Sequence, residues 1–234
     1  MKPILFIGAC EKADLLLYIS KLLTTADQKV LLVDGTLTQR YGYSISQIDE
    51  QDRLTEFDGF DVALGFSNLD ELQIYFDEKS ENLTAYDFIL IDSDDEENVK
   101  SWGVLDQQVA VTSFERFSVL QNVKLMEKFL EDQNRQENKT FLRVYYPFAD
   151  CKFDETYIDS TIEHLPIRWH DPAIDFQFDE VDYATRIENQ YENRLQMRGL
   201  SGQYKRQLLI TCEILSGLDQ KTLKAALKVA EKGR

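Results

Sequence analysis

Four short runs of the chain are apolar at every position: Ile4–Ile7, Val30–Val33, Phe88–Ile91 and Val109–Val111. Strands covered on both faces of a parallel sheet read this way, whereas half-exposed strands alternate. Between them the period changes. Leu15, Leu16, Ile19, Leu22 and Leu23 recur at helical spacing, as do Leu69, Leu72 and Phe76, and Val119, Val123, Met126 and Leu130. Alternating strand and helix patterns predict a doubly wound α/β fold, a mainly parallel sheet with helices on both faces. Right-handed crossovers then bring the strand C-termini to one edge, where ligands of open α/β sheets bind. Phe60–Leu64 and Thr140–Tyr145 predict two further strands and Ile167–His170 a third, followed by a turn-rich stretch at Asp171–Asp175 with Pro172.

From residue 179 the pattern becomes helical and strongly charged. Residues 179–198 and 203–232 predict helices, interrupted at Gly199 and Gly202. No flexible linker or repeat sets this part aside. The expectation is one domain over 1–234, an α/β core at 1–178 with a helical C-terminal part at 179–234. The final helix is basic and amphipathic. Lys221, Lys224, Lys228, Lys232 and Arg234 stand against Glu231, and Leu223, Ala226, Leu227 and Ala230 form its apolar stripe. That stripe is rich in alanine and lacks Trp and Phe, which weakens membrane insertion. Docking on the acidic body or on a partner is the preferred reading over membrane contact.

Charge narrows the partners. The 234 residues carry 26 Lys and Arg against 42 Asp and Glu, a formal net charge of −16. Binding nucleic acid or anionic lipid through the bulk surface needs a basic footprint, so no nucleic acid is expected. With 43% hydrophobic residues the chain can bury a real core. No run of about 18 apolar residues predicts a membrane span, and the N-terminus shows no signal-type cleavage site. Cys10, Cys151 and Cys212 are odd in number and form no CxxC pair. A zinc site or disulfide framework is not expected, and a reducing, cytoplasmic compartment is.

Three strand-end segments carry the chemistry: IGACEKADL (7–15), LLVDGT (31–36) and YDFILIDSDDEEN (86–98). A strand, loop and helix at the N-terminus is where a P-loop, GxxxxGK[ST], would sit. Its amides cradle phosphates, its lysine meets the β/γ-phosphates and its hydroxyl holds magnesium. From Gly8 the chain reads Gly8-Ala9-Cys10-Glu11-Lys12-Ala13-Asp14-Leu15. Ala13 stands at the second glycine, Asp14 at the lysine and Leu15 at the hydroxyl. With Asp34 ending the second strand, Asp92 in YDFILID at the Walker B position and VTSFERFSVLQNVKLME (111–127) beyond, residues 3–145 resemble the MinD/ParA family of P-loop ATPases, whose loop is a deviant KGGxGK[ST].

The resemblance implies that fold, with retained dimer and partner surfaces, in proteins that position cell-division, partition or secretion machinery. The departures change what it implies for activity. Ala9 replaces the family's signature lysine, and Cys10 and Glu11 replace the loop glycines. Glu11, Asp14, Asp34, Asp92, Asp94, Asp95, Glu96 and Glu97 are expected to converge on one edge beside a single lysine, Lys12. Like charges ~4 Å apart repel by about 4 kcal/mol at an effective dielectric near 20, so a triphosphate would be turned away. The expectation is a degenerate nucleotide site at Gly8–Leu15, Asp34 and Asp92. It belongs to a cytoplasmic pseudo-ATPase that works as an assembly, localisation or regulatory factor, with no catalytic residue and no required cofactor.

Two rivals stay open. One is a divergent ATP- or metal-binding ATPase using Lys12, Asp34 and Asp92, since hard cations take oxygen ligands. The other is a binding module whose acidic edge, Asp94–Glu97, captures a basic protein. A receiver-type phosphoacceptor is disfavoured by the length and by the lack of a well-placed lysine. Elsewhere bland readings are preferred: helix-N-terminal acids for Glu11 and Asp14, structural roles for His164 and His170, a buried small residue for Cys10, no nucleophile context for Ser113 and Ser118, and packing or interface roles for Tyr183, Tyr191 and Tyr204.

Overall fold

The structure is a computed structural model that describes residues 1–45, 52–103, 105–131 and 139–233. Its strands are β1 (Lys2–Ile7), β2 (Val30–Gly35), β3 (Leu54–Phe57), β4 (Phe60–Leu64), β5 (Phe88–Ser93), β6 (Gln107–Thr112), β7 (Lys139–Phe148) and β8 (Ile167–Gln177). They form one sheet in the order β3-β4-β2-β5-β1-β6-β7-β8. Every pairing is parallel except the β3–β4 hairpin. β1 lies between β5 and β6, and the four uniformly apolar runs are the β2, β5, β1 and β6 centre, covered on both faces as their pattern requires.

The helices are α1 (Ala13–Thr25), α2 (Tyr41–Ser44), α3 (Leu69–Glu78), α4 (Arg116–Leu130), α5 (Glu155–Ile162), α6 (Glu180–Glu192), α7 (Gly202–Ser216) and α8 (Gln220–Ala230). Two core layers flank the sheet. One unites alternate residues of β1, β2 and β5 with α1, α7 and α8, including Leu15, Leu22, Leu208, Leu215, Leu223 and Leu227. The other packs the opposite faces of those strands against α3 and α4, around Phe76, Trp102, Leu125 and Phe129. α1 is buried from Ala13 to Leu23, because the sheet holds one side of it and α7 and α8 the other.

Three expectations change. β3 is an additional strand, formed because Asp58 (φ 51°) and Gly59 (φ 97°) both take positive φ, the geometry of a two-residue hairpin turn. Lys21 Nζ secures the turn, donating to Asp58 O at 3.0 Å and Oδ1 at 2.8 Å. β8 continues through Asp171–Asp175, the stretch expected to turn. It is the sheet's edge strand, where Pro172 forfeits no inner ladder bond. The C-terminal helices break elsewhere than expected. α6 ends where Asn193 turns left-handed (φ 53°), and Gly217 (φ 77°) separates α7 from α8.

α8 rests on its own body. Leu223, Ala226, Leu227 and Ala230 are buried in the layer shared with α1 and α7. Its apolar stripe is therefore covered, while Lys221, Lys224, Lys228 and Lys232 point to solvent. Arg234 of the basic tail lies outside the described residues. No helix among the described residues is long and apolar enough to cross a membrane.

Candidate functional site: the loop between the first strand and first helix

The loop from Gly8 to Lys12 joins β1 to α1 at the carboxyl edge of the sheet, with Lys12 as the residue that opens the helix. Gly8 passes so close to β6 that a Cβ there would sit 2.1 Å from the Val111 carbonyl oxygen. Several loop amides already have protein acceptors. Gly8 N donates to Ser93 O at 3.2 Å, Ala9 N to Asn122 Oδ1 at 2.8 Å and Ala13 N to Glu11 Oε1 at 3.2 Å. Asn122 is held in turn through its Nδ2, which donates to Val111 O at 2.8 Å.

Lys12 folds back into the loop that carries it. Its Nζ donates to Gly8 O at 2.5 Å and pairs with Asp92 Oδ1 at 2.6 Å, both side chains being 2% exposed. Burial works against the lysine's charge, and the Asp92 carboxylate with Cys10 and Asp94 together outweigh it, so Lys12 is held above the ordinary lysine range. Asp92 lies beside Asp34 in the β2–β5 register, and Tyr41 spans the two. Its hydroxyl donates to Asp92 Oδ2 at 2.7 Å and its amide to Asp34 Oδ2 at 3.4 Å. Thr36 donates to Asp34 Oδ1 from its amide at 3.0 Å and its hydroxyl at 2.6 Å. Desolvation pushes the Asp34 carboxyl up to about 6, against the Thr36 bonds and with help from Asp92.

The expected acidic convergence divides into three groups. Glu11, Asp92 and Asp94 line a cavity of about 320 Å³, with Asp34 beside Asp92 behind it, but Glu11 is paired with Arg40 and Asp92 with Lys12. Asp94, on that lining, opens the acidic run to Glu97, whose first three carboxylates accept hydrogen bonds. Asp94 Oδ1 accepts from Leu37 N at 2.8 Å, Asp95 Oδ1 from Glu97 N at 2.9 Å, and Glu96 Oε1 from Gln121 Nε2 at 3.2 Å. Asp14 does not join them. α1 turns it to the other side of the loop, where it accepts from the Tyr146 hydroxyl and faces Arg186 Nη1 at 3.5 Å. Leu15 is wholly buried in the core beneath α1. The residue that fills the loop is thus Lys12, not Asp14 or Leu15.

Asp14 lines a second, larger cavity of about 490 Å³, walled by Phe114, Tyr146, Phe176, Phe178, Tyr183 and Tyr204 among others. The two cavities meet at Cys10 and Glu11. Desolvation pushes the Cys10 thiol up to about 12 against the pull of Lys12, which keeps it protonated and unreactive. Among the described residues no group of three or more His, Cys, Asp or Glu side chains gathers as a metal centre would need. His164 pairs with Glu127 at an exposed site, 2.9 Å apart. Sequence reading missed Tyr41, Arg40 and Asn122. The signal for the first two was their place just after LLVDGT, in the loop that follows a strand-end aspartate.

No protein-family sequence profile and no characterised protein sequence matches the chain. Solved structures do. The MinD cell division protein of Aquifex aeolicus aligns with a TM-score of 0.56 at 11% identity, covering 94% of this chain and 98% of that one. A ParA family ATPase from Chlorobium tepidum TLS aligns at 0.49 and 15%, covering 97% and 98%. The MinC:MinD cell division protein complex of Aquifex aeolicus aligns at 0.48 and 12%, covering 99% and 95%. On this likeness the chain resembles the MinD/ParA-type P-loop ATPases and has their fold.

Proposed function

We propose that the chain is a pseudo-ATPase on the MinD/ParA fold, a cytoplasmic factor in assembly, localisation or regulation that acts through protein contacts rather than nucleotide hydrolysis. The observation that carries this reading is the placement of Lys12. A phosphate loop works when its amides and lysine are free to meet an anion. Here the only lysine of the loop is buried in an ion pair with the Walker B aspartate, 2.6 Å away, and amides at both ends of the loop are spent on Ser93, Asn122 and Glu11.

A triphosphate would have to free Lys12 from Asp92. Breaking a buried pair costs about 3–5 kcal/mol when one partner is left unpaired. That is two to four orders of magnitude in affinity at about 1.4 kcal/mol per decade. The loop offers no compensation, because Ala13, Asp14 and Leu15 stand at the positions of the second glycine, lysine and hydroxyl. MinD is a cell division protein, and the proposal assigns this chain a related positioning task without nucleotide turnover.

Calorimetric titration with ATP and magnesium tests this. The expected result is no saturable heat up to about 1 mM. Saturable binding below that concentration overturns the reading and favours the rival in which Lys12, Asp34 and Asp92 hold a nucleotide or divalent ion.

A further inference from the structure

Helix α6 is built inside out. Its inward face is polar: Asp182, Thr185 and Asn189 are its buried residues. Asp182 accepts from Ser201 N at 2.5 Å and from Ser201 Oγ at 2.8 Å, and so ties α6 to the start of α7. Asn189 Nδ2 donates to the Tyr18 hydroxyl at 2.8 Å, and Asn189 Oδ1 accepts from Gln196 N at 3.1 Å. The outward face carries Tyr183, Ile187 and Tyr191, which are 44%, 38% and 88% exposed. They sit four residues apart and so form one stripe along the helix. A surface helix of a globular protein ordinarily turns such a stripe to the core and its polar residues to water. Exposed Phe178 and Val181 extend the apolar surface at the N-terminal end, and contiguous exposed apolar patches mark interaction sites.

The surroundings state what chemistry fits. α6 carries Glu180, Asp182, Glu188 and Glu192 against one cation, Arg186. Arg186 turns toward Asp14 and lies over the Tyr183 ring at 4.8 Å. Glu180 and Glu188 have no cationic partner among the described residues. The stripe runs into the 490 Å³ cavity, of which Phe178, Tyr183 and Arg186 form one wall. On its floor Asp14 is 7% exposed, accepts from the Tyr146 hydroxyl and faces the chain's own Arg186 Nη1 at 3.5 Å through Oδ1. Arg186 already answers that carboxylate, so what the aromatic walls offer a partner's lysine or arginine is the ring faces at the cavity mouth.

We propose that the outward face of α6 and the aromatic cavity at its N-terminal end form a docking surface for a basic amphipathic helix of a partner protein. The partner lays apolar residues at helical spacing along Tyr183, Ile187 and Tyr191, a stripe about 12 Å long at 1.5 Å per residue. It directs one basic side chain to the cavity mouth, against the Phe178 and Tyr183 rings. Lysines and arginines on its margins meet Glu180 and Glu188, while Glu192 is held by Arg194 at 3.0 Å. This names the kind of partner for an interaction protein, at a surface other than the acidic rim at Asp94–Glu97. A Mg-ATP titration reads only the Gly8–Leu15 loop, so the failure of either reading leaves the other standing.

The test uses a fluorescent Leu/Lys amphipathic helical peptide and the full chain in anisotropy titrations. Ile187→Asp with Tyr191→Ala is the disrupting variant. Both positions are exposed, and an unchanged circular-dichroism melt verifies its fold. Asp94, Asp95, Glu96 and Glu97 changed to Ser is the comparison. The expected result is at least tenfold weaker binding for the α6 variant and less than twofold change for the rim variant. Wild-type affinity should also fall severalfold between about 50 and 200 mM salt. Equal affinity for wild type and the α6 variant overturns the proposal. So does self-association in sedimentation that the α6 variant abolishes, which would make the occupant a second copy. Binding to phosphatidylcholine vesicles that the variant abolishes would assign the stripe to lipid and likewise overturn it.

Discussion

Replacing Lys12 with Met tests the self-occupied loop directly, because a plug and a phosphate ligand respond in opposite ways. The Lys12–Asp92 pair is 2.6 Å long with both side chains 2% exposed. At an effective dielectric near 20 its gross attraction is about 6 kcal/mol, most of which offsets the desolvation of two ions. Met keeps the volume of the lysine stem but leaves Asp92 charged, buried and supported only by Tyr41. Loss of one partner of such a pair costs about 3–5 kcal/mol. Urea denaturation of K12M at pH 8 should show that loss. At pH 5 the loss should shrink, because burial already pushes the Asp92 carboxyl up and Lys12 is what pulls it back. Without Lys12 the folded-state pKa rises further above the unfolded value, so protonation favours the folded variant as pH falls. K12M with Asp92→Asn, which keeps an acceptor for Tyr41, should recover at least about 2 kcal/mol of coupling in a double-mutant cycle. A lysine kept free for phosphate would behave otherwise. If K12M lies within about 1 kcal/mol of wild type at pH 8, or D92N gives it no relief, the plug is refuted.

Three further substitutions have definite expected outcomes. Asp34→Asn should stabilise the chain at pH 7.5 by up to about 3 kcal/mol, from a folded pKa of about 6 against an ordinary 3.8 at about 1.4 kcal/mol per unit. The difference from wild type should vanish by about pH 4, since the wild-type carboxyl is a liability only once it must ionise. Denaturation at both pH values reads this, and a pH-independent difference would contradict it. Gly8→Ala puts a methyl 2.1 Å from the Val111 carbonyl oxygen and should cost about 1–3 kcal/mol, with no loss contradicting the close crossing of β1 and β6. Leu223→Ala, at a fully buried position under α8, should cost about 2–5 kcal/mol. Lys224→Gln on the exposed side of the same helix should stay within about 0.5 kcal/mol, and equal effects in a thermal melt would mean that α8 does not rest on α1.

The parts of the fold legible in the sequence are those set by burial on two faces. β1, β2, β5 and β6 are uniform apolar runs because nothing on either side of them meets water, and α1, α3 and α4 show helical spacing because each turns one face to the sheet. The β3–β4 hairpin was also legible. Asp58-Gly59 between Leu54–Phe57 and Phe60–Leu64 is a strong two-residue turn signal, overlooked because a four-residue strand shows little periodicity of its own. α6 could not have been placed correctly from pattern, since its buried residues are polar and its apolar ones exposed. The site was legible in which residues matter and not in how they pair. Spacing puts Lys12 and Asp14 two residues apart at a helix start. Which of them turns into the loop depends on the direction in which α1 leaves the sheet, and that is fixed by Leu15, Leu16 and Ile19 packing into the core.

That orientation changes the reason for reading the loop as inactive. Eight carboxylates at one edge would repel a triphosphate by accumulated charge, and the repulsion would be screened by salt or cancelled by magnesium. The structure divides that charge among Lys12, Arg40, backbone amides and a separate cavity, so the proposed inactivity rests on occupancy of the loop by Lys12 rather than on repulsion. A loop closed by charge would open to nucleotide when Asp94–Glu97 are neutralised. A loop closed by its own lysine would stay shut in that variant and open only when Asp92 releases Lys12. The two accounts therefore separate in one experiment. Serines at 94–97 should leave Mg-ATP binding undetectable, whereas Asp92→Asn, which weakens the hold on Lys12 and keeps the Tyr41 contact, is the variant in which anion binding should first emerge. If the serine variant binds nucleotide and Asp92→Asn does not, charge closes the loop and the lysine is incidental.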